Sequence, residues 1–349
     1  MPIVPVTNPM TTEKVRLGQH LFFDQRLSGN GQYSCASCHR PELAFSDGRP
    51  TAIGSTGEQH RRNSMALANV AFNATYGWAS TNTSLEKQLE RPLFGSDPVE
   101  MGIAGSEAQI LTRLSEVAGY RQCFRQAFPD LGDPLSIDSV IFALASYTRS
   151  LLSGRSSWDR LLYEDEQEAL SSAARRGMRV FFSPQASCSE CHGSFNLSGA
   201  VIHAGSPAVR KEFHNTGLYD VDGSGGYPDL DEGLRELTGE PTDSGKFRAP
   251  SLRNVAVTAP YMHDGSIADL REAVAHYAAG GRAWRDRSPP EDALLSRGVR
   301  GIQLDDQDIG DLVAFLESLT DEQFLRDPRH HGPGEPDTCQ GSEPGRSAR

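Results

Sequence analysis

Two short segments carry the residues best suited to chemistry. Ser34-Cys35-Ala36-Ser37-Cys38-His39 lies near the start of the chain, and Cys188-Ser189-Glu190-Cys191-His192 lies past its middle. Cys-x-x-Cys-His is the attachment signature of c-type haem. The two thiols bond to the vinyl groups of one porphyrin, and the adjacent imidazole reaches its iron from one face. The rival reading is a structural zinc protein in which Cys and His share one ion. That requires both motifs to converge on a single metal, whereas they sit in what read as equivalent halves. The motifs therefore predict two covalent c-type haems, with Cys35, Cys38, Cys188 and Cys191 as tethers and His39 and His192 as iron ligands.

Each motif follows the same lead-in. Arg16-Leu17-Gly18-Gln19-His20-Leu21-Phe22-Phe23 precedes the first, and Arg175-Arg176-Gly177-Met178-Arg179-Val180-Phe181-Phe182 precedes the second. A glycine stands four residues before a Phe-Phe pair in both. A helix, a short loop and a haem motif, used twice, is the pattern of an internal repeat. The fold class expected is mainly α: two cytochrome c-like domains, each with one covalent haem, joined by long irregular loops. Their expected limits are 11–162 and 163–326, after an extended arm at 1–10 and before a disordered tail at 327–349.

Helical spacing places the other elements. Ile137, Val140, Ile141, Leu144, Thr148 and Leu151 share one face of a helix over 137–152, and Ile309, Leu312, Val313, Leu316 and Leu319 share one over 306–319. Ser106 to Gln109 and Ser266 to Asp269 read as capping boxes at helix starts. Residues 193–250, rich in Gly, Pro and Asp, read as a long irregular region. Within it, Asp220, Asp222, Ser224 and Asp231 form either a solvated turn cluster or a loose calcium loop; the lack of flanking helices favours the turn.

The 349 residues suffice for two ordinary domains, and no apolar run approaches bilayer length. A net charge of -12 argues against nucleic acid or an anionic membrane as partner. Haem c is attached outside the bacterial cytoplasm, so the chain is expected in the periplasm. Its first residues have neither a basic nor an apolar leader segment, which reads as a mature chain after signal removal. Cys123 and Cys339 are left over, as a disulfide or as two thiols.

The second axial position of each iron decides the chemistry: Met or His closes it for electron transfer, and an open site takes peroxide. Leu270, Ala273, Val274 and Tyr277 fall on one stripe of a helix, with His276 turned about 100° away. Tyr277 is either a core tyrosine bonded to a carbonyl or a phenolate on haem iron. Between Trp78 and Met101, Trp78 is core packing or something more, and Glu100 is a surface charge or a proton carrier facing an open haem.

The run Gly245-Lys246-Phe247-Arg248-Ala249-Pro250-Ser251-Leu252-Arg253-Asn254-Val255, continuing through Thr258-Ala259-Pro260-Tyr261-Met262-His263-Asp264-Gly265, closely resembles the hallmark segment of bacterial di-haem peroxidases and MauG. The resemblance extends from about residue 11 to 325. Asn8-Pro9-Met10, Gly54 to Glu58, Phe213 to Tyr219 and His276 to Gly281 are most similar to MbnH-type di-haem enzymes. The resemblance implies that the haem on His39 is five-coordinate and meets peroxide, and that the haem on His192 is capped by Tyr277, where classical members have Met. It implies that Trp78 couples the haems and that Gln88, Pro92 and Glu100 form the distal pocket, although one extra residue stands between Pro92 and Glu100. It places a calcium ion at Asn63, Thr258 and Pro260, whose side-chain and carbonyl oxygens are hard donors.

The activity implied is that of a haem oxidoreductase using hydrogen peroxide to reach a bis-Fe(IV) state. It would then oxidise tryptophan on a partner protein by long-range electron transfer, as in Trp-to-kynurenine conversion on a secreted copper-binding partner. The alternatives are a cytochrome c peroxidase fed by a small cytochrome or cupredoxin, and a di-haem electron carrier with both irons six-coordinate.

Overall fold

The computed structural model describes residues 1–206, 211–286, 288–290, 293–300, 302–334 and 336. The helices, in chain order, are α1 Thr12–Phe23, α2 Leu85–Phe94, α3 Glu107–Ser115, α4 Ala118–Ala127, α5 Ile137–Ser150, α6 Ser157–Tyr163, α7 Ser172–Phe181, α8 Cys188–Cys191, α9 Arg235–Thr238, α10 Leu270–Ala278, α11 Asp306–Glu317 and α12 Glu322–Arg326. Among the described residues, extended pairing is confined to isolated bridges.

Each half is built on one helix crossing. In the first, α1 starts at Thr11, whose hydroxyl accepts from the Lys14 amide, and α5 starts at Ser136, whose hydroxyl accepts from Ser139. The two meet at Gly18, where a Cβ would lie 2.0 Å from the Ala143 carbonyl oxygen. In the second half, α7 crosses α11 at Gly177, where a Cβ would lie 1.8 Å from the Asp311 carbonyl oxygen. The repeated glycine is thus the point of close backbone approach, and the first Phe of the pair that follows it, Phe22 or Phe181, enters the core while Phe182 stays exposed. Leu17, Leu21, Phe22, Phe45, Phe124 and Tyr147 fill the first core, and Phe181, Leu197, Leu312, Phe315 and Leu319 fill the second.

Packing divides the chain differently from the expected limits. Trp158 of α6 lies in the second core, so that half begins before residue 162. Phe324 and Leu325 of α12 return to the first core. The tail expected to be without structure begins with a 3-10 turn, Pro328–His330. There His330 packs 4.5 Å from Phe324 and donates from Nδ1 to its carbonyl. Residues 335 and 337–349 lie outside the described residues. The opening arm is pinned by Asn8, which is fully buried and donates to Glu86 and to the Phe142 carbonyl.

Two expected capping boxes are absent. Ser106 has ψ near 11° and makes no side-chain cap bond. Ser266 is held outside α10 because Tyr261 and Ile267 pair as extended backbone; Asp269 caps that helix instead, accepting from the Glu272 amide at 2.8 Å. The Asp220–Ser224 segment is a closed turn. Asp222 accepts from the Ser224 amide and hydroxyl and the Gly226 amide, and Asp231 pairs with Arg62. Cys123 is disulfide-bonded; Cys339 lies outside the described residues.

A second repeat joins the halves. Leu67-Ala68-Asn69-Val70-Ala71 matches Leu252-Arg253-Asn254-Val255-Ala256, and Ala74-Thr75-Tyr76-Gly77-Trp78 matches Ala259-Pro260-Tyr261-Met262-His263. Asn69 and Asn254 both take the left-handed conformation, which Asn tolerates, at φ 60° and 58°. Their amides donate to the carbonyls of Leu151 and Leu319, one and two residues past the ends of α5 and α11. In the same register Asn63 matches Arg248. The Asn63 amide donates to the His263 carbonyl at 2.6 Å, and the Arg248 amide donates to the Trp78 carbonyl at 2.8 Å. Equivalent segments of the two halves therefore bond to each other reciprocally.

Gly177→Ala should force α7 and α11 apart, lowering stability by about 1–3 kcal/mol as overpacking does. Chemical denaturation compared with an exposed Ala substitution elsewhere on α7 checks this.

Candidate functional site

Both motif histidines are locked by their inner nitrogen. His39 donates from Nδ1 to the Phe45 carbonyl at 2.6 Å. His192 donates from Nδ1 toward the carbonyls of Leu197 and Pro250 at 3.2 and 3.1 Å. A carbonyl only accepts, so the proton sits on Nδ1 and Nε2 keeps its lone pair for a metal. Burial lowers the basicity of both rings, that of His192 to about 4, so each stays neutral at pH 7. Phe45 reaches its imidazole from a left-handed φ of 66°, in a tight turn that Arg40 and Ser46 close by pairing.

The second motif opens on a deep, mainly apolar cavity. Cys188, Cys191, His192 and Tyr277 line it together with Val255, Val274 and Leu312. α10 delivers Tyr277, and the Tyr277 hydroxyl makes no hydrogen bond among the described residues. This departs from a core tyrosine bonded to a carbonyl. The half-buried Tyr277 lines the cavity with the second motif's Cys188, Cys191 and His192, so its hydroxyl is free to pair with a group bound there. Burial pushes the phenol's pKa up strongly. His276, the residue turned off the stripe, is also buried, donating from Nε2 to the Thr216 carbonyl while its Nδ1 accepts from the Arg282 amide.

Among the described residues, two further groups on this cavity lack partners: Arg248 Nη1 and His214 Nε2. Arg248 is 3% exposed. A buried guanidinium without a counter-charge costs several kcal/mol, and burial lowers its pKa to about 10, still charged at pH 7. Two thiols, a neutral imidazole, an apolar wall and a cation facing inward fit a covalent haem with an acidic propionate. The residues present suit the group.

Around the first motif, α2 carries Gln88 and Pro92 on one face, four residues apart. The chain then folds back so that the Met101 amide donates to the Pro92 carbonyl at 2.9 Å. This sets Glu100 beside α2 despite the extra residue in the loop. The charge of Glu100 is felt at both Cys35 and Cys38. Burial raises the Glu100 carboxyl pKa, with Arg91 opposing, and His60 Nδ1 lies 3.9 Å from Glu100 Oε1. The Gln88 carbonyl oxygen meets Asn82 at 3.4 Å.

Trp78 stands at the seam. Its indole N–H donates to the Asn63 carbonyl at 2.8 Å, its ring lines the second cavity, and the next residue, Ser64, donates to the Cys38 carbonyl at 2.7 Å. One indole therefore borders one haem site and is two short bonds from the other. Asn63, Thr258 and Pro260 line the same seam.

A family model described as di-haem cytochrome c peroxidase matches residues 12–167, and one described as cytochrome c matches 174–320. The methylamine utilization protein MauG of Methylophilus methylotrophus is 34% identical over 316 residues, covering 90% of this chain and 84% of that protein. Cytochrome c551 peroxidase of Pseudomonas aeruginosa is 32% identical, covering 90% of this chain and 81% of that protein. The chain belongs to the di-haem cytochrome c peroxidase and MauG family. A solved structure of a MauG-like protein associated with microbial copper homeostasis is 45% identical, with a TM-score of 0.91, and covers 95% of this chain and 96% of that one. As a member of this family the protein is a haem-dependent, peroxidase-like oxidoreductase with two c-type haem sites. Among the described residues, no helix is long and apolar enough to cross a membrane.

The motifs mark the tethers, imidazoles, Tyr277 and Trp78, whereas Arg248, His214 and His263 lie within the hallmark-like segments without a role that the resemblance implies. The signal for Arg248 and His263 was the second repeat: they are the counterparts of Asn63 and Trp78. His214 had no such signal. Arg248→Leu removes a positive charge from the second haem's wall, which favours ferric iron. Its midpoint potential should fall by tens of millivolts, with a smaller change at the first haem, in a spectroelectrochemical titration.

Proposed function

We propose that this protein oxidises a tryptophan on a partner protein, using hydrogen peroxide and long-range electron transfer between two unequal haem sites. The observation that carries the reading is Tyr277, a phenol on the wall of the cavity onto which the second motif opens, with no hydrogen bond from its hydroxyl among the described residues. Bound at their motifs, the haems supply cleavage of peroxide and a place to hold its two oxidising equivalents. The side chains do the rest. Tyr277 would hold the haem attached at the second motif through its phenol oxygen, which would lose its proton on binding despite the raised pKa. Glu100 takes a proton from incoming peroxide at the open first site and returns it to the departing oxygen. Gln88 and Pro92 shape that pocket. Trp78 couples the halves through the seam.

Calcium at Asn63, Thr258 and Pro260 belongs to the same proposal. Asn63 Nδ2 donates to the Arg49 carbonyl at 2.7 Å, which leaves Oδ1 for a cation. The carbonyls of Thr258 and Pro260 accept no hydrogen bond among the described residues. All three are neutral oxygen donors at the contact between the halves, where an ion would stiffen the seam.

The partner proposed is a secreted copper-binding protein whose Trp becomes kynurenine, and the site of action is the periplasm. The 45% identity to a protein associated with copper homeostasis supports this choice. The relation to cytochrome c551 peroxidase supports a second reading, direct peroxide reduction with electrons from a small redox protein. Peroxide added to the diferric protein separates them. A persistent near-infrared band and added oxygen on a partner Trp by mass spectrometry support the first, and turnover only after half-reduction supports the second. Tyr277→Phe should keep both haems attached while losing the near-infrared band; an unchanged band contradicts the ligand.

Glu100 must be ionised to accept a proton. The rate of peroxide consumption should therefore rise with pH through a midpoint above the ordinary glutamate value. Glu100→Gln should remove that step and slow the reaction by about 10²–10⁴-fold; stopped-flow pH profiles of both proteins test it.

A further inference from the structure

We infer that Tyr219, hydrogen-bonded to Asp264 at the protein surface, is the exit point through which oxidising equivalents leave the second haem site for a partner protein. The inference rests on the function proposed above and adds a route to it. Phe247 and His263 line the second cavity with Tyr277 and stack on each other, with ring centres 3.8 Å apart and planes 14° apart. Tyr227 lies 5.7 Å from His263 and 5.8 Å from Phe247. Tyr219 lies 5.3 Å from Tyr227 and is partly exposed. An unbroken run of rings thus leads from the cavity to solvent.

The hydroxyl partners select where the charge stops. A phenol gives up an electron readily only if its proton has somewhere to go, because the phenol radical cation is a very strong acid. Tyr227 is buried; its oxygen accepts from the Leu218 amide at 3.1 Å and its side-chain hydrogen-bond partner is the Thr216 hydroxyl, a far weaker base than a carboxylate. Tyr261 donates to the Val255 carbonyl, a weak base. The Tyr219 hydroxyl instead donates to Asp264 Oδ2 at 2.5 Å. Asp264 is held ready: it also accepts from the Ser266 amide at 3.0 Å, and against the opposing effect of burial the Tyr219 and Ser266 hydrogen bonds hold its carboxyl below the usual carboxylate range. The Arg282 guanidinium sits 5.3 Å from the Tyr219 ring centre. It disfavours a positive ring and so enforces loss of the proton together with the electron.

The step balances. Tyr219 gives one electron, by way of Tyr227 and the Phe247–His263 stack, to the peroxide-oxidised second haem site. Its O–H proton passes to Asp264, leaving a neutral tyrosyl radical. An indole of the docked partner then gives one electron to that radical, Asp264 returns the proton, and the oxidised indole sheds its own N–H proton to water. Val221, two residues on, is 60% exposed and gives the exit an apolar margin.

The holoenzyme with ring-deuterated tyrosine, mixed with hydrogen peroxide and freeze-quenched, tests the route by electron paramagnetic resonance alongside near-infrared absorption. The expected result is a tyrosyl signal narrowed by deuteration, which Tyr219→Phe abolishes while both haems stay attached and the near-infrared band lasts severalfold longer. Asp264→Asn keeps a hydrogen-bonding group but removes the base, and should slow appearance of the radical by at least about tenfold. A near-infrared band with the same radical and the same decay in both variants overturns the exit route and leaves the proposed function standing. Absence of the band in the unsubstituted enzyme overturns both.

Discussion

A covalent haem is held rigidly only if the imidazole on its iron cannot turn, and in both halves a single backbone carbonyl bond or its fork prevents that. Phe45 supplies it to His39; Leu197 and Pro250 supply it to His192. The rest of the architecture serves those acceptors. The Phe45 turn rests against Phe22 and Tyr147 at the crossing of α1 and α5, and Leu197 is fully buried beside the crossing of α7 and α11. Because Nδ1 carries the proton in each case, Nε2 faces the iron without any cost of tautomer change. The glycines at the crossings matter for the same reason: they let the helices approach until the haem loops have one position each.

Symmetry brings the halves together and asymmetry makes them useful. The reciprocal bonds from Asn63 to His263 and from Arg248 to Trp78 set equivalent segments against each other. At that seam the first half contributes a neutral amide and an indole, and the second contributes a cation and an imidazole. The replacements change the field: the buried charge of Arg248 faces the second cavity, while Asn63 leaves neutral oxygens at the seam. An indole and a stacked Phe–His pair then flank the same cavity on different sides of the repeat. Such a pair of unequal sites suits division of two oxidising equivalents, one kept where peroxide arrives and one moved away.

Much of this was legible in the chain, for physical reasons. Cys-x-x-Cys-His admits few chemistries, and the Gly-to-Phe-Phe spacing reports a helix crossing that tolerates no Cβ. Tyr277 was visible as an aromatic residue on the stripe facing inward. The helix start at 106 holds, but capping depends on extended geometry at the first residue, and a ψ near 11° denies Ser106 its cap bond; the start at 266 fails because a local pairing keeps Ser266 outside the helix. His276 was placed away from the buried stripe, yet it is buried because the 214–217 segment covers that face, a contact distant in sequence. Arg248 and His214 carry no role in the motif pattern since an Arg or His in a loop is ordinarily a surface group; only the three-dimensional cavity shows that Arg248 Nη1 and His214 Nε2 have no partner among the described residues. The return of α12 to the first core was hidden too, since its short apolar pair suits either half.

The central claim is that Tyr277 oxygen binds the iron held by His192 while the iron held by His39 keeps an open face. Resonance Raman spectroscopy of the diferric protein, excited in the visible and repeated with ring-deuterated tyrosine, tests it most directly. The account predicts iron–phenolate modes that shift on deuteration, beside the marker bands of one five-coordinate haem. Deuteration-insensitive spectra from two six-coordinate haems would contradict it.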